Sequence, residues 1–507
     1  MRAAIRRARS TADREKPRIP VMHTILAMDR TSARGWPPTL TERLSMSWLD
    51  RDHTIAPPGF NRWLIPPAAL AVHLCIGQAY ATSVYKTALT AHFDATLTQV
   101  GIIFSIAIVM LGLSAAVLGT WVDRHGPRKA MFTSALFWTS GFLIGALGIF
   151  TNQLWLVYLG YGVIGGIGLG IGYISPVSTL IKWFPDRPGL ATGMAIMGFG
   201  GGALIASPLS TQLLRMYDPN SGAEGLVASG DAVGKLFLTL AVVYLVYMMF
   251  GAFTIKVPAE GWKPAGFDPS QLKSKPLVTT DNVSAANAIK TRQFWLVWIV
   301  LFCNVTAGIG ILEQAAPMIQ DFFRGADGTT AVSVAAAGGF VGLLSIGNMG
   351  GRFAWSTTSD LIGRKRIYMV YLGVGALLYL VLALAGSSTT LLFVALAFVI
   401  ISFYGGGFAT VPAYLRDLFG TYEVGAIHGR LLTAWSAAGI AGPLIVNAFL
   451  DSQGTPGELD AGAYQPALLT MVGLLVVGFI ANLLVRPVDP RFHEPASDAS
   501  REFAKEA

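Results

Sequence analysis

Charged residues are scarce in this chain. Of its 507 residues only 13% are Asp, Glu, Lys or Arg, whereas soluble globular domains carry about 25%. Hydrophobic residues make up 53%, and the mean hydropathy is +0.54. The chain has too few charged residues to form the polar surface of a soluble protein of this size. Its apolar residues are therefore expected to face lipid.

Cysteine is nearly absent. The two cysteines, Cys75 and Cys303, each lie inside an apolar run. Two isolated thiols support neither a disulfide framework nor a cysteine-based metal site. We therefore predict no metal, no cofactor and no redox chemistry. No nucleophile is paired with a base within an apolar segment, so no catalytic residue and no enzyme is predicted.

Apolar runs of about 20 residues, enough to cross a hydrocarbon layer about 30 Å thick, recur between Trp63 and Val485. Twelve such runs predict an all-α polytopic membrane protein with twelve transmembrane helices in two six-helix bundles. The helices are expected at about residues 63–83, 98–119, 129–150, 153–175, 189–212, 235–255, 293–317, 331–353, 366–386, 389–412, 426–449 and 464–485.

The net charge of +8 does not come from one basic stretch, so a nucleic-acid partner is not predicted. The cations instead follow the second, fourth, eighth and tenth predicted helices: Arg124, Arg128, Lys129, Lys182, Arg187, Arg364, Lys365, Arg366 and Arg416. Because loops rich in Lys and Arg stay in the cytoplasm, these loops are expected there. Both termini then lie in the cytoplasm of a multi-pass inner-membrane protein.

The longest polar connection divides the predicted helices into six and six. We expect a disordered N-terminal extension at residues 1–60, a helical bundle at 61–256, a cytoplasmic linker at 257–292, a second bundle at 293–487 and a cytoplasmic tail at 488–507. The Arg-rich start lacks the apolar region of a signal peptide. Translation from Met1 and translation from Met46 both stay open.

A short motif occurs once in each half. The segment DRHGPRK at Asp123–Lys129 follows the second predicted helix, and DLIGRK at Asp360–Lys365 follows the eighth. These paired loops resemble the signature of the major facilitator superfamily. The resemblance implies two six-helix bundles that rock about a central site. Asp123, Arg128, Asp360 and Arg364 are then candidate gating residues, whose charge-assisted contacts would close the cytoplasmic side.

Further segments resemble the oxalate/formate antiporter family over about residues 61–487. They are GYISP at 172–176, KWFPDR at 182–187, NMGGR at 348–352, YGGGF at 404–408, TAW at 433–435 and GP at 442–443. Members of that family and the related monocarboxylate carriers transport small carboxylates such as oxalate, formate, lactate and pyruvate. The resemblance therefore implies a small organic anion as substrate.

Arg352 is the first candidate for binding that anion. It precedes Asp360 by eight residues, about 12 Å along a helix, so it is expected near mid-membrane. Its guanidinium suits a carboxylate, although an arginine at this position could also extend to the interface. Asn348 lies one turn earlier on the same face, where its amide can contact the substrate or orient the guanidinium, with packing against a neighbouring helix as the alternative.

The family resemblance adds aromatic candidates: Tyr80, Tyr173, Tyr404, Phe408 and Trp435 match positions that line the family's binding cavity. Each could instead be a packing residue or an interfacial anchor.

His73, in the first predicted helix, is the candidate for proton coupling, with a helix–helix hydrogen bond as the alternative. His428 and Arg430 are interpreted as structural or gate residues that pair with Asp417 or Glu423.

Two departures from the family pattern bear on the substrate. Some monocarboxylate carriers have an Asp where Asn348 stands, and Asn348 cannot exchange a proton. Oxalate-exchanging members have a Lys that would fall at Trp435, so this chain offers one cation rather than two. A second carboxylate would lose its hydration without gaining a partner. We therefore favour a monocarboxylate over oxalate.

Together these features predict a secondary active transporter of a small monocarboxylate, such as lactate, pyruvate or formate, that works by alternating access. The alternatives are an oxalate/formate exchanger and, more remotely, a membrane solute sensor. The predicted partners are the carboxylate, the lipid bilayer and, for a symporter, protons. One site suffices for function as a monomer. The sequence leaves open which anion is carried, exchange or symport, and the direction of flow.

Overall fold

The computed structural model describes residues 47–219, 228–267, 277–279, 281–325, 331–453 and 459–494. The predicted N-terminal extension up to residue 46, the choice between Met1 and Met46, and the tail from residue 495 lie outside this part of the chain. Within it the regular structure is helical, and the one β-type contact is an isolated bridge between Ile55 and Val257.

The described residues form twelve long helices, which we number α1 to α12 in chain order. They are Arg62–Ala81, Leu97–His125, Pro127–Phe150, Leu154–Trp183, Pro188–Tyr217, Gly230–Thr254, Arg292–Phe322, Val334–Ile362, Arg364–Ser388, Thr390–Phe419, Val424–Leu450 and Ala461–Leu483. The twelve helices confirm the predicted fold class. We call α1 to α6 the N-terminal half and α7 to α12 the C-terminal half.

Eleven of the described helices are long and apolar enough to cross a membrane, and α8 is the exception. It carries Asn348, Arg352 and a polar stretch, Ser356–Asp360, that lower its hydropathy. Polar side chains on a membrane helix are stable only where they face protein or a wet cavity. The helix with the weakest membrane signal is therefore the one expected to face the interior of the bundle.

Several helices begin at a side-chain cap. The side chains that cap α2, α6, α7, α8, α10 and α12 belong to Thr96, Ser229, Thr291, Ser333, Thr389 and Asp460. Each accepts a hydrogen bond from a backbone N–H in the first turn, which satisfies a donor that the helix itself cannot pair. At Thr96 the cap is reciprocal, because Gln99 also accepts from the Thr96 N–H at 2.7 Å.

The helices extend past the ends of their apolar runs. The predicted second helix ends at about residue 119, but α2 continues to His125, and α8 continues to Ile362 rather than 353. Both end at a motif glycine with positive φ, Gly126 at 85° and Gly363 at 92°. Hydropathy marks the part within lipid, whereas the helix stops where the backbone turns left-handed. Asp123 and Asp360 therefore lie in final helical turns rather than in loops.

Parts of the connection between the halves are ordered against the helix ends. Trp183 donates a 2.8 Å hydrogen bond to the Lys256 carbonyl, and its ring centroid lies 4.7 Å from that of Trp262. Further along, the N–H of Thr279 donates to the Asp417 carbonyl at 2.8 Å, and that of Val283 to the Phe419 carbonyl at 2.9 Å. The described stretches of the predicted linker therefore lie along one end of the bundle.

Candidate functional site

Arg352 lies ten residues before the end of α8, about 15 Å along the helix axis. Its relative exposure is 0%, so the guanidinium does not extend to the interface. Nε donates a 2.9 Å hydrogen bond to Asn348 Oδ1, one turn earlier on the same helix. Nη1 donates at 3.3 Å to the carbonyl of Ile196 on α5, which belongs to the other half. Arg352 therefore lies between the two halves.

Glycines of α5 give Arg352 the room it occupies. A Cβ on Gly200 would lie 2.9 Å from Nε of Arg352, and a Cβ on Gly193 would lie 3.0 Å from its carbonyl oxygen. The first approach would force a shift, and the second is tighter than most contacts of a Cβ atom. The glycine series of α5 is thus a surface against which α8 packs closely, as small residues allow between membrane helices.

Six aromatic side chains, which we call the aromatic cluster, surround the guanidinium and include all five predicted from the sequence. They are Tyr80, Tyr173, Phe199, Tyr404, Phe408 and Trp435. The Arg352 Cζ lies 5.7 Å from the ring centroid of Phe199 and 5.4 Å from that of Phe408. Cation–π attraction at such distances compensates part of the cost of burying the charge.

The cluster joins the two halves. Tyr80 on α1 and Tyr404 on α10 approach within 3.2 Å through their hydroxyl groups. The ring of Trp435 on α11 lies 5.5 Å from Tyr173 on α4 and 4.5 Å from Phe408 on α10. Side chains from both halves thus meet at the depth of Arg352, where a change in the packing of the halves would alter the site.

Three donors of this site point to no acceptor. Arg352 Nη2, Tyr173 Oη and Trp435 Nε1 are buried, and none has a hydrogen-bond partner among the residues that the structure describes. A buried donor without a partner loses roughly 1–3 kcal/mol. Donors of this kind around one guanidinium are suited to a ligand that brings acceptor oxygens, and a carboxylate is such a ligand.

Two histidines adjoin the cluster. His73 on α1 and His428 on α11 are 0% and 1% exposed, and their rings lie 5.4 Å and 5.8 Å from the ring of Tyr173. His428 was not expected among the site residues. Its predicted partners are engaged elsewhere, since Asp417 binds Arg364 and Arg416, and Glu423 accepts from the N–H of Ala285.

Phe199 is the other cluster residue that the sequence does not point out. It contacts Tyr80, Tyr173, Trp435 and the guanidinium of Arg352. The available signal was its position inside the series Gly198–Gly202, where a single large ring stands among small residues. A helix face of glycines packs against a neighbour, so a ring on that face lies at the interface.

At one end of the bundle the two motif aspartates each contact the opposite half. Asp123 on α2 accepts a 2.9 Å hydrogen bond from the N–H of Ala426 at the start of α11. Asp360 on α8 accepts from the N–H groups of Gly189 and Leu190 at the start of α5, both at 2.9 Å. We call this the cationic end, because Lys182, Arg364 and Arg416 also lie there.

The candidate gating cations differ in their contacts. Arg364 lies 2.5 Å from Asp360 and 3.2 Å from Asp417, and it also donates to Ser359 Oγ. Arg128 donates to the Phe253 carbonyl at 3.4 Å, a contact within the N-terminal half. Arg364 thus holds the carboxylate that caps α5, whereas this contact of Arg128 joins α3 to α6.

Twelve helices in two halves, with a buried cation and aromatic rings between them, define a membrane transporter of the twelve-helix class. The chain belongs to the Major Facilitator Superfamily, whose family model matches residues 68–443 and, in a second match, residues 328–505. This confirms the family recognised in the paired motifs. It also confirms that the chain is a multi-pass membrane transporter and not an enzyme.

The narrower resemblance is confirmed by individual relatives. The chain is 25% identical to the oxalate:formate antiporter of Oxalobacter formigenes, over 86% of this chain and 93% of that protein. It is 28% identical to apicoplast pyruvate carrier 1 of Toxoplasma gondii, over 59% of this chain and 60% of that protein. Among solved structures, the transporter FucP in its outward conformation matches with a TM-score of 0.59 at 16% identity, covering 83% of this chain and 99% of that one.

Proposed function

We propose that this protein is a secondary active transporter of a small monocarboxylate, such as lactate, pyruvate or formate. The observation that carries the proposal is the buried guanidinium of Arg352, which keeps Nη2 without a partner among the described residues. A carboxylate accepts well from a guanidinium, and Tyr173 Oη and Trp435 Nε1 are further donors for it. Asn348 then orients the guanidinium rather than binding the anion itself.

A monoanion matches the charge of this site. The aromatic cluster encloses one permanent cation, Arg352, and the family's second cation position holds Trp435, which contacts Phe408 at 4.5 Å. One carboxylate neutralises one guanidinium. A second carboxylate would be buried opposite an indole, at an effective cost of several kcal/mol per unpaired ion. The named relatives, an oxalate:formate antiporter and a pyruvate carrier, support small carboxylates as the substrate class.

The contacts between the halves support an alternating-access mechanism. Hydrogen bonds join the two halves at more than one level. At the cationic end Arg416 donates to the Pro185 carbonyl at 3.3 Å, and farther along the bundle the Ser436 hydroxyl donates to the Ile108 carbonyl at 3.3 Å. We assign the cationic end to the cytoplasm, which makes this a state closed to the cytoplasm of an inner-membrane protein with both termini inside. Transport requires these contacts to break as the halves, residues 61–256 and 293–487, rock.

Counterflow in proteoliposomes tests the proposal. Vesicles loaded with unlabelled lactate, pyruvate, formate or oxalate receive the labelled anion, with wild type beside Arg352→Ala and Arg352→Lys. We expect exchange of at least one monocarboxylate by wild type, loss in Arg352→Ala, and strong impairment in Arg352→Lys, because an ammonium lacks the planar fork.

The matched control is Arg491→Ala. Arg491 also stacks on a ring, with its Cζ 4.7 Å from the Phe492 centroid, but its side chain is 73% exposed. The Arg491→Ala variant should exchange the anion like wild type. Exchange of a monocarboxylate that survives in Arg352→Ala contradicts the site assignment. Silence of wild type on all four anions contradicts the substrate class.

Oxalate/formate exchange is the second candidate, and the antiporter relative favours it. The same assay separates the two. If wild type exchanges oxalate as fast as formate, the result favours oxalate/formate exchange and contradicts the argument from Trp435.

A further inference from the structure

His73 has an uncommon pair of hydrogen-bond partners. Its Nδ1 contacts the backbone carbonyl of Ala195 on α5, and its Nε2 lies 3.1 Å from the backbone carbonyl of Tyr173 on α4. The residue is completely buried. Both ring nitrogens therefore face groups that can only accept a hydrogen bond.

A neutral imidazole carries one N–H, so it can donate to one of these carbonyls and must turn a lone pair toward the other. An imidazolium carries two N–H groups and donates to both. The backbone of α4 and α5 thus offers an arrangement that is complete only when His73 holds a second proton. Neither carbonyl can adapt, because each belongs to the main chain of a helix.

The surroundings decide when that proton can bind. The ionisable groups around His73 are Tyr173 on α4, Arg352 on α8 and His428 on α11, while α5 contributes the Ala195 carbonyl. The guanidinium of Arg352 is close enough to act on His73 through its charge, and two positive charges near one another repel. The motif carboxylate Asp360 lies eight residues from Arg352 along α8, about 12 Å. An anion on the guanidinium would offset this repulsion between Arg352 and a protonated His73.

We propose that His73 is the proton-binding group of the carrier, and that a carboxylate on Arg352 and a proton on His73 bind cooperatively and cross the membrane together. The proposal rests on the proposed function, since it requires an anion at Arg352. Asn348, which contacts the guanidinium, has an amide that cannot titrate, so it is not the proton-binding group. The proton comes from water on the open side, binds the free ring nitrogen, and leaves to water on the other side.

The charges of the transport cycle agree with this assignment. The empty site carries one positive charge, on Arg352. The anion subtracts one charge and the proton adds one, so the loaded site again carries one positive charge and can cross the membrane as the empty site does. A proton without the anion would bury two positive charges side by side, which is strongly unfavourable. Cotransport is therefore favoured over a proton leak.

The experiment compares two modes of transport in proteoliposomes for wild type and His73→Gln, with lactate, pyruvate and formate as probes. Counterflow at equal pH reports anion binding and exchange. The initial, carrier-dependent uptake under an inward-directed gradient of one pH unit reports proton coupling, with protein-free vesicles subtracted. In wild type the gradient should raise uptake by up to about tenfold, because the protonated fraction of a mostly neutral group rises tenfold per pH unit.

In His73→Gln the ratio of uptake with the gradient to uptake without it should fall to about one, whereas counterflow should weaken but remain measurable, because Arg352 is untouched. His125→Gln is the matched control. Its Nδ1 contacts a single carbonyl, that of Trp121 at 3.0 Å, near the end of α2. This variant should respond to the gradient like wild type.

Three outcomes of the transport assays overturn the proposal. They are gradient-driven uptake that persists in His73→Gln, wild-type uptake that ignores the gradient while counterflow proceeds, and equal loss of the gradient response in His125→Gln. Absence of wild-type counterflow is a different failure, because it removes the proposed function itself. If His73→Gln does not fold, proton uptake on adding pyruvate, lactate or formate to wild type in detergent decides the question: an anion that binds without taking up a proton overturns the proposal.

Discussion

The Asp360 carboxylate on α8 accepts a 2.9 Å hydrogen bond from the backbone N–H of Gly189, in the first turn of α5. The equivalent aspartate of the other half, Asp123, accepts from the N–H of Ala426 at the start of α11. Each carboxylate thus caps the positive end of a helix that belongs to the opposite half. The repeated motif therefore yields two related contacts that hold the cationic end closed.

Asp360→Asn should weaken this closure. The amide keeps the size of the side chain but loses the negative charge that the N–H groups of Gly189 and Leu190 share. Charge-assisted hydrogen bonds contribute about 1.5–3 kcal/mol each, so the ratio of closed to open cationic ends should fall about tenfold or more. Distances between spin labels at the ends of α5 and α8 measure that ratio.

Asp231→Asn is the matched control for Asp360→Asn. Asp231 pairs with Lys235 at 2.6 Å, but its side chain is 61% exposed. Exposed pairs of this kind contribute little, so the distance distribution should not move. Unchanged distances in Asp360→Asn would show that the carboxylate does not hold the halves together.

Gly189→Ala should open the same end by a steric route. A Cβ at this position would clash with the Ser356 carbonyl oxygen and would lie 2.9 Å from Asp360 Oδ1. Since backbone atoms of α8 cannot yield, α5 must move away and the capping contact must lengthen. The control is Gly350→Ala on α8, where a Cβ would have no atom within 4 Å among the described residues. The measurement is the rate at which a thiol reagent labels a cysteine introduced at the cationic end. This rate should increase in Gly189→Ala and stay unchanged in Gly350→Ala.

Tyr173→Phe should weaken anion binding without destabilising the protein. Its hydroxyl is buried and meets no hydrogen-bond partner with good geometry among the described residues, so its removal should cost the ligand-free protein little. If the hydroxyl donates to the anion, KM for the exchanged monocarboxylate should rise about tenfold, with thermal stability unchanged or higher. An unchanged KM would exclude Tyr173 Oη as a ligand.

Tyr244→Phe is the control for that variant. The Tyr244 hydroxyl is likewise buried without a partner in the described part of the chain, but it lies on α6, outside the aromatic cluster. Both variants remove the same group from the same kind of setting. Only Tyr173→Phe should change KM, and an equal rise in both would point to an indirect effect.

Trp435→Lys should change the charge that the carrier prefers. A second cation beside Arg352 supplies the partner that a second carboxylate lacks, so the ratio of oxalate to formate exchange should rise at least about tenfold. Formate exchange itself should fall, because a monoanion leaves one buried cation unpaired. Counterflow with both labelled anions measures the ratio. A ratio that stays at the wild-type value would show that position 435 does not select the charge of the substrate.

Much of the fold is evident in the order of the residues. Runs of about 20 apolar residues must cross the lipid as helices, because an unpaired backbone is too costly there. Helix ends are less evident, as α2 and α8 show by continuing to His125 and Ile362. Their last turns are polar and lie beyond the apolar run, so hydropathy does not report them.

The site was only partly evident in the sequence. Arg352 attracts attention because an arginine is costly in an apolar helix, and the aromatic candidates followed from family resemblance. Phe199 and His428 carry no such signal, since a phenylalanine is ordinary in a membrane helix and His428 lies near a predicted interface. Both enter the site because α5 and α11 approach from opposite halves.

By itself the sequence determined the number of crossings, the six-plus-six repeat and the presence of a buried cation, because hydropathy and the cost of burying charge are local properties of the chain. The tertiary structure decided which groups that cation meets. Arg352 could have paired with a carboxylate or kept a donor free, and His73 could have met one carbonyl or two. Which of these occurs depends on contacts between residues more than 100 positions apart in the chain. Only the close packing of glycine-rich helix faces brings those groups within hydrogen-bond distance.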